Sequence, residues 1–161
     1  MADGRIHIGS KKEDAKRTTP WESLFFAYAA MAPLAAGAVA FFLLRADAAS
    51  AAARLMILWA GSILCFLPGV RRGLSFRQEG GPLLTQLATM IFLFALGVAS
   101  LVSPSTQISL ALQILGYTTV AVLDPLAARW GEAPRYFEGL RPLQMAIPIV
   151  SLGVVLIGHL I

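Results

Sequence analysis

The chain has 161 residues, of which 57% are hydrophobic and only 14% charged, and its mean hydropathy is +0.71. With its 14 glycines counted in, about two-thirds of the chain is apolar, against ~45–50% in a soluble domain, so an ordinary water-soluble globule is excluded and a membrane protein is indicated. The net charge of +4 does not point to nucleic acid, because Lys and Arg fall between apolar runs, where they suit the cytoplasmic face of a membrane and its anionic lipids.

Residues 1–20 are polar, with Arg5, Lys11, Lys12, Lys16 and Arg17 set against Asp3, Glu13 and Asp14, and read as a flexible cytoplasmic tail. Thr19-Pro20-Trp21-Glu22 reads as a helix start, with Thr19 as cap, Pro20 first inside and Glu22 reaching back. The rest, 21–161, is expected to be one transmembrane domain of five helices. The first span covers about 22–44, too long for a signal-peptide core of ~7–15 residues, and is expected to be retained. The second covers about 51–70 and is expected to end at Pro68-Gly69, where proline and glycine break helices. Gly80-Gly81-Pro82 closes the next loop. The third covers about 83–102, and Ser103-Pro104-Ser105 is a tight turn into an antiparallel fourth, about 106–123. The fifth covers about 143–161.

Each run is near the ~20 residues that cross a ~30 Å hydrocarbon core at 1.5 Å per residue. The continuously apolar character excludes a β-barrel, whose strands alternate in polarity. The fold class is therefore all-α and polytopic. Between the fourth and fifth spans, Asp124-Pro125 reads as the start of a short interfacial helix, with Asp124 as cap. Trp130, Tyr136 and Phe137 alternate there with Arg129 and Arg135, as in an interfacial segment. That loop reads either as an aromatic belt with cytoplasmic anchors or as a docking surface for an acidic partner or lipid head group.

Placing the N-terminus in the cytoplasm puts eleven basic residues on that side, the tail's five with Arg71, Arg72, Arg77, Arg129, Arg135 and Arg141, and leaves Arg45 and Arg54 opposite. This bias predicts N-terminus in and C-terminus out. A bacterial inner membrane is expected, with the mitochondrial inner membrane as alternative, because the tail's acidic residues do not suit a transit peptide.

Transport or proton relay usually needs ionisable groups at bilayer depth. Here Glu22, Arg54 and Asp124 stand at span ends, where head groups can solvate them. Neither His7 nor His159 has a second ligand at metal spacing, and lone Cys65, between Leu64 and Phe66, reads as a packed side chain. No cofactor, metal or catalytic residue is expected. Thr85, Gln86 and Thr89 in the third span, and Gln113 and Tyr117 with Thr118 and Thr119 in the fourth, read as interhelical hydrogen-bonding groups or as the lining of a polar path. Small residues at four-residue spacing, Ala29, Pro33 and Gly37, then Gly61, Cys65 and Gly69, allow close helix approach.

Tyr28-Ala29-Ala30-Met31-Ala32-Pro33, the run from Ile63 through Cys65, Pro68 and Gly69 to Arg71-Arg72-Gly73, Leu115-Gly116-Tyr117, Asp124 and Ala133-Pro134-Arg135-Tyr136 together carry a family likeness over about 21–158. The chain resembles an uncharacterised membrane family, domain of unknown function 3429, which includes mitochondrial transmembrane protein 69. Arg72 stands where that family's pattern has an aromatic, and Pro68 where it has a small residue. The resemblance implies a shared fold and a membrane location, and no activity, substrate or catalytic residue.

The residues leave three functional classes open. The favoured one is a non-enzymatic subunit or assembly and maintenance factor that packs against partner membrane proteins. The second is a small, oligomeric transporter or channel with Gln86, Gln113 and Tyr117 along a polar path. The third is an intramembrane enzyme, for which no carboxylate pair, zinc motif or Ser/His arrangement is visible. Membrane lipids are expected partners, and Arg71, Arg72, Asp124, Arg129, Trp130, Arg135 and Tyr136 are the candidate contacts to lipid or partner.

Overall fold

A computed structural model describes residues 21–75 and 84–161. The tail, the Thr19-Pro20 helix start, Arg77 and the Gly80-Gly81-Pro82 loop lie outside the described residues. Among the described residues six helices follow in chain order: α1 (Trp21–Ala29), α2 (Ala32–Leu43), α3 (Ala46–Ser75), α4 (Leu84–Val102), α5 (Thr106–Arg129) and α6 (Phe137–Gly158). With α1 and the longer α2 together forming one crossing, five segments are long and apolar enough to span a bilayer, so the chain is a multi-pass membrane protein.

The first crossing bends at Ala30–Met31. Pro33 has no N–H to give to the carbonyl of Ala29 and its ring crowds that carbonyl. Leu34 N–H turns to Met31 O at 3.0 Å, and the freed carbonyl of Ala30 accepts from Trp59 Nε1 on α3 at 2.8 Å. The Ala30 carbonyl freed by the bend thus keeps a partner, as hydrocarbon surroundings require.

Two proline expectations are corrected. Helix α3 does not end at Pro68-Gly69 but runs to Ser75, because Pro68 removes only one backbone bond while Leu64, Leu67 and Pro68 itself are buried against the core. Likewise Asp124-Pro125 does not open an interfacial helix: α5 continues through it to Arg129, held by buried Val120, Asp124 and Ala128. Its end is a Schellman motif. Glu132 N–H bonds Ala127 O at 2.9 Å and Gly131 N–H bonds Ala128 O at 3.2 Å, with Gly131 at φ +79°, a left-handed conformation that suits glycine. Helix α6 begins at Phe137, six residues before the expected start of its span, and keeps Pro142 and Pro148 inside it. The Ser103–Ser105 turn is as expected, with Ser105 Oγ capping α5 by accepting from Ile108 N–H at 3.4 Å.

The core joins Met31 at the bend, Leu34 of α2, Met56, Ala60 and Leu64 of α3, Leu93 of α4, Leu110 and Tyr117 of α5, and Met145 and Leu152 of α6. Helix pairs α5–α6 and α3–α4 pack most extensively. Close approach rests on small residues: a Cβ on Gly97 of α4 would stand 2.6 Å from Cys65 Sγ and 3.1 Å from its backbone nitrogen. Outside this core, Leu43, Phe66, Leu84, Ile91 and Val102 are exposed, the lipid-facing surface of a membrane bundle.

Candidate functional site

Antiparallel order brings the end of α3, the end of α5, the start of α6 and the start of the first crossing to one end of the bundle. Each supplies polar groups there. Asp124 of α5 is only 4% exposed and meets two guanidinium groups. Arg71 Nε of α3 donates to its Oδ1 at 2.7 Å, with Arg71 Nη2 at 2.5 Å from the same oxygen. Arg141 Nε of α6 lies 3.0 Å from Oδ2. The Nη2 and Arg141 contacts are ion pairs off the hydrogen-bonding direction.

Arg141, 8% exposed, is itself held on two sides. Its Nη1 donates to Gln144 Oε1 at 3.1 Å, and its guanidinium lies 4.4 Å over the Phe137 ring. Gln144 Nε2 then donates to Ala27 O of α1 at 3.0 Å. A chain of polar contacts thus runs α3–α5–α6–α1. Asp124 lies five residues from its helix end and Arg71 and Arg141 four, roughly 6–8 Å inside by helical rise, so the cluster is deeper than head-group solvation of Asp124 would require. The expectation that head groups solvate Asp124 is corrected: its carboxylate is buried and takes its counter-charges from within the bundle.

Beside the cluster lies a cavity of about 30 Å³, walled by Arg71, Gln86, Met90, Asp124, Glu132 and Phe137, with room for about two waters. Gln86 therefore belongs to this end of the molecule. Gln113 and Tyr117 do not join it. Both are fully buried further along α5: Gln113 Nε2 donates to Ile57 O at 2.7 Å and contacts Ser100 Oγ at 3.2 Å, and Tyr117 OH donates to Ala60 O at 2.8 Å. These bonds brace α5 against α3 and α4.

Of the remaining candidates, Arg72 is half-buried, Arg135 is exposed, Trp130 is 71% exposed, and Tyr136 packs edge-on against Phe137 at 5.1 Å. Arg129 pairs with Glu138 at 2.8 Å on the surface. Gly61 faces Leu101 and Gln113, and Cys65 faces Gly97, so both serve packing within the chain, whereas a side chain at exposed Gly69 would meet nothing within 4 Å among the described residues. Sequence reasoning missed Arg141 and Gln144. The signal was present: a carboxylate in an apolar run needs a cation, and antiparallel order puts Arg141 at the same end as Asp124.

Among the described residues no group of three or more His, Cys, Asp or Glu side chains could hold a metal ion. A family model described as "Protein of unknown function (DUF3429)" matches residues 19–157, and the chain belongs to that family. No curated protein and no solved structure matches the chain.

Proposed function

We propose that this DUF3429 protein is a non-enzymatic integral membrane subunit, or an assembly and maintenance factor, that packs against partner membrane proteins. One observation carries the reading. An apolar groove of about 570 Å³ stays open between α2 and α3, walled by Pro33, Gly37, Ala40, Ala48, Ala52 and Leu55. Small residues of this kind let a further transmembrane helix approach closely. By contrast, Asp124, Gln113 and Tyr117 are engaged inside the bundle, which favours a scaffold over a conduit. A bacterial inner membrane, with a mitochondrial inner membrane as alternative, and a cytoplasmic N-terminus complete the proposal. The orientation is supported by Arg71, Arg72, Arg129, Arg135 and Arg141 at one end of the bundle against Arg45 and Arg54 at the other.

The test is a pull-down of the tagged full chain at native expression, in mild detergent or nanodiscs, with mass spectrometry and native-gel sizing. A reproducible membrane complex that is lost on Ala36→Trp or Ala48→Trp, which fill the groove, is the expected result. A lone protein or homo-oligomer with flux in proteoliposomes, abolished by Leu at Gln86, Gln113 or Tyr117, overturns it in favour of a transporter.

A further inference from the structure

Three surface clefts follow one another from the start of α6 to the first crossing. The first is polar and lies between Arg129, Arg135 and Glu138. The second shares Arg135 and Glu138 and adds Leu24, Tyr28 and Leu143. The third shares Leu24 and Tyr28 and continues along α1 past Phe25 to Ala32, with an almost wholly apolar wall. Their shared lining residues make them neighbours along one surface groove, charged at the Arg129–Arg135 end and apolar at the Leu24–Phe25 end.

The charged end has one carboxylate for two guanidinium groups. Glu138 accepts from Arg129 Nε at 2.8 Å, and both Arg129 and Arg135 are exposed. Trp130, 71% exposed, stands next to Arg129, and Tyr136 lines the middle of the groove, side chains that favour the membrane–water boundary. The apolar end then lies against α1 of the first crossing, on the hydrocarbon side of that boundary.

We propose that this groove is a binding site for one anionic phospholipid, its phosphodiester at Arg129 and Arg135 and an acyl chain along Leu143, Leu24 and Phe25. The two-ended chemistry selects the occupant. A partner's apolar helix leaves the arginines unmatched, and an acidic soluble peptide leaves the Leu24–Phe25 wall unmatched. A zwitterionic lipid carries an ammonium that the excess positive charge disfavours. The inference stands independently of the partner-subunit reading, which concerns the α2–α3 groove.

The test is native mass spectrometry of the detergent-solubilised full chain, titrated with phosphatidylglycerol and, separately, with phosphatidylcholine. The unaltered protein is expected to hold one phosphatidylglycerol saturably and more tightly than phosphatidylcholine. Arg129→Gln with Arg135→Gln removes the charge; at ~1 kcal/mol per arginine near the surface, phosphatidylglycerol binding falls about tenfold or more. Gly139→Phe separates a groove from diffuse attraction. Gly139 lines the middle cleft and a Cβ there meets no atom within 4 Å among the described residues, so a ring can be added at the cleft with the charges kept, and the unfolding temperature checks the fold. Loss of the bound lipid in both variants, with unchanged unfolding temperatures, supports the site. Equal binding of the two lipids, retention in the Gly139→Phe variant, or a membrane protein crosslinking to position 143 in place of lipid overturns it.

Discussion

Both carboxylate oxygens of Asp124 are met by guanidinium groups from two other helices, and Asp124 and Arg141 are themselves buried. Removing one partner of such a pair leaves a charge stranded where hydration is poor, at a cost of about 3–5 kcal/mol. Asp124→Ala is therefore expected to lower the unfolding temperature in detergent far more than Glu138→Ala, whose exposed pair with Arg129 contributes no more than ~1 kcal/mol. Equal shifts would contradict the burial argument. The neutral braces are weaker: Tyr117→Phe deletes one interhelical hydrogen bond and is expected to cost about 0.6 kcal/mol, readable by the same unfolding assay. Asp124 was legible in the sequence as an unusual residue. Its role was not, because the Asp-Pro pair also matches a helix start and local pattern carries no record of two distant arginines.

Proline at the element scale behaves differently from its local rule. Pro68 and Pro125 each remove one backbone hydrogen bond, yet α3 and α5 run through them because buried side chains hold the axis, Leu64, Leu67 and Pro68 itself in α3, and Val120, Asp124 and Ala128 to either side of Pro125 in α5. Pro33 does interrupt its helix, where the Trp59 indole N–H from α3 donates to the freed Ala30 carbonyl. Amide exchange should therefore show protection continuing past Pro125 through Leu126–Ala128 to the bonded amides of Gly131 and Glu132, with a fall after Glu132, where the Schellman turn has ended α5. Loss of protection at Leu126–Ala128 would restore the separate interfacial helix. Pro125→Ala is expected to be neutral or stabilising, since the helix already has its axis and regains one bond. Hydropathy alone located all five crossings, because twenty apolar residues have few other uses. Helix ends were harder to place, since they depend on tertiary burial at Leu67, Pro68 and Val120 that no window of sequence contains.

At the scale of the molecule, the proposed topology has five crossings, which is expected to put the two ends of the described chain on opposite sides of the membrane, and the basic residues concentrate at one end of the bundle. Single cysteines at positions 45 and 135, in a background with Cys65 replaced by Ser, are expected to react with membrane-impermeant maleimide from opposite sides; labelling from the same side would contradict the five-span order. The same antiparallel order gathers Arg71, Asp124, Arg141 and Ala27 at one end, so that four of the five crossings are tied by polar contacts there while apolar packing and the Gln113 and Tyr117 braces fix the remainder. The most direct measurement of this account is a double-mutant cycle on unfolding free energy with Asp124→Asn, Arg141→Gln and the pair combined. Each single change strands a buried partner, so the combined variant should be less destabilised than the two losses added together, with a coupling of about 0.5–3 kcal/mol as for residues in one network. Strict additivity would show that Asp124 and Arg141 do not act as one unit and would contradict the account.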